Sequence, residues 1–142
     1  MNKPIAENKK ARFDYNITET LEAGIVLLGS EVKSLRLGKA SIREAYASQE
    51  DGELVLINFN IPEYDLAAKG QNHEPKRFRK LLLHKKEIIR LKSNTEKKGL
   101  TIIPLSIYLK GSWIKITIGI AKGKKLHDKR QADKQRDIKR EI

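Results

Sequence analysis

Two apolar runs near the end of the chain constrain its fold more than any other feature. LTIIPLSIYLK (100–110) and WIKITIGIAK (113–122) are joined through Lys110-Gly111-Ser112. Ile103, Leu105, Ile107 and Leu109 alternate along the first run, and Ile114, Ile116, Ile118 and Ile120 along the second. A period of two places these side chains on one face of each strand, and a short Gly-containing turn between them predicts an antiparallel hairpin.

The rest of the chain offers more strands and few helices. Residues 1–12 are polar and basic, contain Pro4, and read as a flexible arm. A strand-like run follows over 14–28, with Gly24 expected at a bulge or sharp bend. Ser30 is placed to cap a short helix with Glu31 in its first turn, Val32, Leu35 and Leu37 on its buried side, and Gly38 at its end. Residues 41–49 read as a helical turn entering a strand. Asp51-Gly52 is a hairpin signal, and in ELVLINFNI Val55, Ile57, Phe59 and Ile61 alternate with Leu54, Leu56, Asn58 and Asn60. Pro62 closes that strand, and 62–78 reads as a long surface loop. RKLLLH is a short strand, and 84–98 a helix with Ile88, Leu91 and Ile89 toward the core and Gly99 just past its end.

Six or so strands with one or two peripheral helices predict a mainly β protein, an oligonucleotide-binding (OB) fold-like small barrel. The expected division is an arm at 1–12, a barrel at 13–122 and a basic tail at 123–142. The tail carries one Leu, one Ala and two Ile among many charges. It should be disordered alone and helical only on a partner that neutralises it.

Charge identifies the class of partner. Residues 1–72 hold 9 basic and 11 acidic groups, net −2, and residues 73–142 hold 21 and 7, net +14. A pI near 9.9 with the excess confined to one half is the footprint of a polyanion binder. There is no Cys, so thiol chemistry and thiolate metal sites are excluded. No apolar run approaches the ~20 residues of a membrane span, and MNKPIAENKK has no signal-peptide core, so the expected location is cytoplasmic. His73, His84 and His127 stand apart, without partners at metal-ligand spacing, and read as surface or site-rim residues. No phosphate-binding loop occurs, and most of the candidate carboxylates sit at turns and caps. The chain therefore reads as a non-enzyme with no catalytic residues, cofactor or metal.

The densest cationic block runs from Lys76 to Lys92, eight Lys/Arg against one Glu. Within it Arg79 and Lys80 flank the strand, while Lys85, Lys86 and Arg90 ride the helix, and phosphate contact is the expected role. Lys122, Lys124 and Lys125 form a second group, and Lys9, Lys10 and Arg12 a third. Together they could surround one RNA, reading backbone and shape. Phe13, Tyr15, Tyr108 and Trp113 could offer stacking surfaces of the kind single-strand binders use, although a barrel this small more often buries its aromatics; Trp113 is the most exposed candidate because it begins a strand beside a turn. Glu22 is an acid within a strand; on an RNA-facing side it could accept hydrogen bonds from base amino groups or 2′-hydroxyls.

KKARFDYNITETLEAGIVLLGSEVKSLRLGKASI, RKLLLHKKEI and IAKGKKLHDKR closely resemble the small protein B (SmpB) family, the SsrA-binding or tmRNA-binding proteins of bacteria. The order and spacing hold from about Asn8 to Arg130. The resemblance implies an OB-type barrel that binds the tRNA-like domain of transfer-messenger RNA, and a tail that enters the empty mRNA channel of a stalled ribosome, chiefly against small-subunit RNA. It implies delivery with elongation factor Tu and GTP through alanyl-tmRNA, by a protein acting as a monomer. Glu22, Arg36, Leu82 and His84 fall on the family's RNA-binding positions, other members carrying Asn in place of His84. His127, Asp128, Lys129 and Arg130 fall on its tail motif, with Lys134 and Arg136 further along. The alternative from another class is a general OB-fold RNA-binding or ribosome-associated module without tmRNA selectivity.

Overall fold

A computed structural model of the protein describes residues 3–123. They run β1 (Lys3–Glu7), α1 (Ala11–Asp14), β2 (Tyr15–Ile25), α2 (Gly29–Arg36), β3 (Tyr46–Glu50), β4 (Glu53–Ile57), β5 (Arg79–Leu82), α3 (Lys85–Lys98), β6 (Thr101–Lys110) and β7 (Trp113–Gly123). Every strand pairing is antiparallel. β6, β3, β4, β5, β2 and β7 follow one another in the sheet, and β7 pairs back onto β6, so six strands close a barrel with β1 attached outside on β6. The expected β6–β7 hairpin forms with Lys110 opposite Trp113 and a two-residue turn in which Gly111 takes a φ of 62°. Asp51 and Gly52 join β3 to β4 with φ values of 50° and 79°, the positive pair that a twisted two-residue hairpin demands.

Several readings of the sequence are corrected. Residues 3–7 are a strand, with Lys3 opposite Leu109 and Glu7 opposite Ser106. β6 is ten residues long but meets β3 only at Ile102, which leaves its outer half with backbone groups to satisfy. Pro4 is tolerated because β1 is an edge strand. Next, of the bulge or bend expected at Gly24, the bulge is not there: the register shift in β2 lies between Ile17 and Glu19. Gly24 pairs with both Leu82 of β5 and Lys115 of β7, and a Cβ there would lie 3.2 Å from the Leu82 Cβ. The missing side chain lets β5 close against β2 and seal the barrel.

The third correction concerns the fourth strand. Leu54 and Leu56 are fully buried, whereas Val55 and Ile57 are half-buried. β4 ends at Ile57, and Asn58 at φ 60° reverses the phase, so that Phe59 and Ile61 reach the same core. A one-residue slip exchanges the faces of a strand. Finally, Leu37 and Ile89, expected to face inward, are 61% and 59% exposed, while Leu35 and Leu91 are the buried anchors of their helices.

The connection from β4 to β5 is pinned from within. Leu28 rather than Ser30 precedes α2, and its N–H donates to Glu31 Oε1 at 2.7 Å. Glu31 is fully buried and receives Arg79 Nε at 2.5 Å and Arg77 Nη2 at 2.6 Å. Arg79 also donates to the carbonyls of Phe59 and, at 3.1 Å, Pro75. Ser34 Oγ donates to the Pro62 carbonyl, and His73 bridges Ser30 Oγ and the Ile61 carbonyl, each contact 2.8 Å. His73 is therefore a buried structural residue, not a surface or rim residue.

Burial by itself would raise the Glu31 pKa. The hydrogen bonds from Arg77, the Leu28 N–H and Arg79 outweigh it, and the value falls below the ordinary 4.5. A carboxylate with a lowered folded-state pKa stabilises the fold above its unfolded value, and that contribution is lost as pH drops through the folded one. Glu31→Gln, which leaves the Arg79 charge buried without its partner, should cost about 3–5 kcal/mol at neutral pH. In urea unfolding the gap to the wild type should narrow well below pH 4.5. A gap independent of pH would contradict this assignment.

Candidate nucleic-acid interface

The outer face of the β2–β7–β6 ribbon carries the candidate site. Glu22 lies opposite Thr117, beside the buried Ala23. Its Oε2 accepts the Tyr108 hydroxyl at 2.5 Å, and its Oε1 accepts Lys110 Nζ at 3.2 Å. These two hydrogen bonds, Tyr108 first, hold the carboxyl below its usual pKa, while burial and the same contact raise that of Tyr108. Glu22 is thus an aimed carboxylate whose oxygens keep spare lone pairs for a further donor.

Glu22 opens onto a shallow depression of about 420 Å³ lined by Gly24, Leu82, Leu83, His84, Glu87 and Lys115. Gly24 brings β5 close, so Leu82, half exposed, sits at the rim. His84 precedes the first turn of α3, and its backbone N–H donates to Glu87 Oε1 at 3.0 Å, which fixes the helix start and leaves the imidazole exposed. Three residues singled out in the sequence, Glu22, Leu82 and His84, therefore meet on one surface. Lys85 and Lys86 extend it, both exposed in the first turn of α3.

Other candidates stand elsewhere. Arg79 is fully buried against Glu31, so it cannot touch a nucleic acid: the strand's alternation turns it inward and Lys80 outward. Lys80 is exposed but paired with Glu53 at 2.9 Å. Arg36 is exposed in the last turn of α2, outside the depression. Lys9, Lys10 and Arg12 are exposed around α1, and Lys122 pairs across from Asn16. This group lies six residues along β2 from Glu22, roughly 20 Å at strand rise. Lys124, Lys125, His127, Asp128, Lys129, Arg130, Lys134 and Arg136 lie outside the described residues.

Sequence reasoning missed Lys110 and Lys115 and the part Tyr108 plays at Glu22. Hairpin alternation already puts Tyr108, Lys110 and Lys115 on the outer face; that they meet Glu22 depends on the β2–β7 register, which no local pattern encodes. Phe13 and Tyr15 are half-buried and Tyr108 buried, as expected of barrel aromatics, whereas Trp113 is exposed. Among the described residues no cluster of His, Asp or Glu is arranged to hold a metal, and no helix is long and apolar enough to cross a membrane.

Tyr108→Phe keeps the ring and removes only the hydroxyl. The Glu22 pKa should then rise toward the ordinary carboxylate value, read by NMR titration of its carboxyl carbon, with little change in thermal stability. An unmoved Glu22 titration would show that Tyr108 does not orient it.

The family model described as SmpB protein matches residues 5–142. An SsrA-binding protein of Prochlorococcus marinus (strain MIT 9515) is 68% identical over 140 residues, covering 99% of this chain and 85% of the relative. One from Prochlorococcus marinus subsp. pastoris (strain CCMP1986 / NIES-2087 / MED4) is 67% identical, covering 99% and 80%. A chain in the solved structure "tmRNA-SmpB: a journey to the center of the bacterial ribosome" is 48% identical, with a TM-score of 0.71 over 89% of this chain and 92% of that one.

Proposed function

The chain belongs to the SmpB protein family, and from that membership we propose that it binds tmRNA in trans-translation and delivers it to stalled ribosomes. It acts by recognition, without catalysis or cofactor. The observation that carries the reading is the convergence of Glu22, Leu82, His84 and Lys115 from three separate strands and a helix start into one depression, on a chain whose relatives are SsrA-binding proteins.

The RNA contacts follow from the chemistry of each group. Glu22, preset by Tyr108 and Lys110, accepts hydrogen bonds from 2′-hydroxyls or base amino groups of the tRNA-like domain. Leu82 offers an apolar surface to a sugar or base, and His84, Lys85, Lys86 and Lys115 meet phosphates. Arg36 and the group formed by Lys9, Lys10, Arg12 and Lys122 contact more distant parts of the same RNA, with Lys80 a peripheral charge. Lys124 and Lys125 join Lys122 on that RNA, while the tail residues His127, Asp128, Lys129, Arg130, Lys134 and Arg136 serve the ribosomal step, occupying the empty mRNA channel against small-subunit RNA. The protein works in the cytoplasm as a monomer and meets elongation factor Tu with GTP through alanyl-tmRNA.

This division of labour predicts separable defects. Reversing charge in a Lys129→Glu/Arg130→Glu double variant should leave affinity for tmRNA within about twofold and abolish tagging in a reconstituted stalled-ribosome reaction. Equal loss of both activities would contradict two separate sites.

A further inference from the structure

Trp113 is the only tryptophan of the chain and is 71% exposed at the tip of the β6–β7 hairpin. Nothing in the barrel needs it there, since the adjoining Ile114, Ile116 and Ile118 supply the inward face of β7. Directly paired residues of an antiparallel ladder share a face, as do alternate residues along a strand. Trp113 is opposite Lys110, Lys115 is opposite Tyr108, and Thr117 is opposite Glu22. Trp113, Lys110, Lys115 and Glu22 therefore form one continuous outward row, running from the hairpin tip to the depression. Its chain neighbours at the turn, Gly111 and Ser112, are exposed, as is Lys110 opposite it on the ladder. An apolar protein partner would want further apolar surface around the indole; a lone aromatic face among cations suits a base and its phosphates.

We propose that Trp113 is a stacking platform for an unpaired base of the bound RNA, extending the recognition surface from Glu22 over the hairpin tip. This rests on the tmRNA-binding reading and deepens it. Trp113 and Thr117 are four residues apart, roughly 13 Å along the strand, so the stacked base and the group received by Glu22 belong to different nucleotides. Because every base has a π-face, the contact contributes affinity without sequence preference, while Glu22 supplies discrimination.

With a single tryptophan, fluorescence excited at the long-wavelength edge of the absorption band, where the four tyrosines do not absorb, reports on this site alone. The full chain is titrated with the tRNA-like domain of tmRNA while binding is followed independently on end-labelled RNA. The tryptophan signal should change and saturate in step with binding. Trp113→Ala should weaken affinity roughly 5- to 150-fold, the range that ~1–3 kcal/mol of stacking gives. Trp113→Phe should recover most of the loss, and neither variant should lower the unfolding temperature. The proposal is overturned if labelled RNA binds the wild type while the fluorescence stays constant and Trp113→Ala binds equally well. It is overturned too if Phe is as weak as Ala, because an aromatic face would then not be what counts. Absence of wild-type binding in the labelled assay removes the tmRNA-binding reading and this proposal with it.

Discussion

One buried carboxylate holds the irregular part of the molecule together. Glu31 takes two guanidinium groups and a backbone N–H, joining α2, the connection after β4 and the start of β5 at a single point. An ion pair in so dry a place gains little net stability over an apolar filling, but removing one partner strands the other. What it supplies is position. Arg79 begins β5, and three residues later the same strand presents Leu82 at the depression, with His84 two residues further on. The site is therefore set by an interaction on the opposite side of the strand, out of reach of any RNA.

The same principle changes how the charge is understood. Basic residues are concentrated in the second half of the sequence, yet the fold returns several of them to acids of the first half. Arg77 and Arg79 meet Glu31, Lys80 meets Glu53, Arg90 meets Glu19 and Lys110 meets Glu22. The exposed pairs contribute little to stability, and a polyanion can exchange them for its own phosphates. The buried pair at Arg79 cannot be exchanged. Net charge thus identifies the kind of partner, while burial decides which cations can meet it.

The sequence was legible where structure is local. The β6–β7 and Asp51-Gly52 hairpins, the Gly99 helix stop and the closed, mainly β character follow from period-two patterning and positive-φ turns. It was misleading where a single residue resets the pattern. Asn58 inverts the faces of the run after Asp51-Gly52, and Gly24 marks a close approach of strands that looks like a bulge in one dimension. β1 escaped notice because its reason to exist is the unpaired outer half of β6, about a hundred positions away in the chain. Within the site, Leu82 and His84 are legible only through family resemblance, while Glu22 stands out as an acid inside a strand, a feature that charge arithmetic alone would not rank first. Tyr108, Lys110 and Lys115 join them only through inter-strand register.

The central claim is that selective RNA recognition resides on the barrel rather than in the basic tail. The most direct measurement is competition binding of the tRNA-like domain of tmRNA against bulk tRNA at ~150 mM salt, where non-specific attraction has largely weakened. It is made for the full chain and for a chain ending at Gly123, the last residue of β7. Both chains should prefer the tmRNA domain, with some loss of affinity but not of selectivity on truncation. Selectivity that disappears with the tail, or equal binding of the two RNAs by the full chain, would contradict that claim.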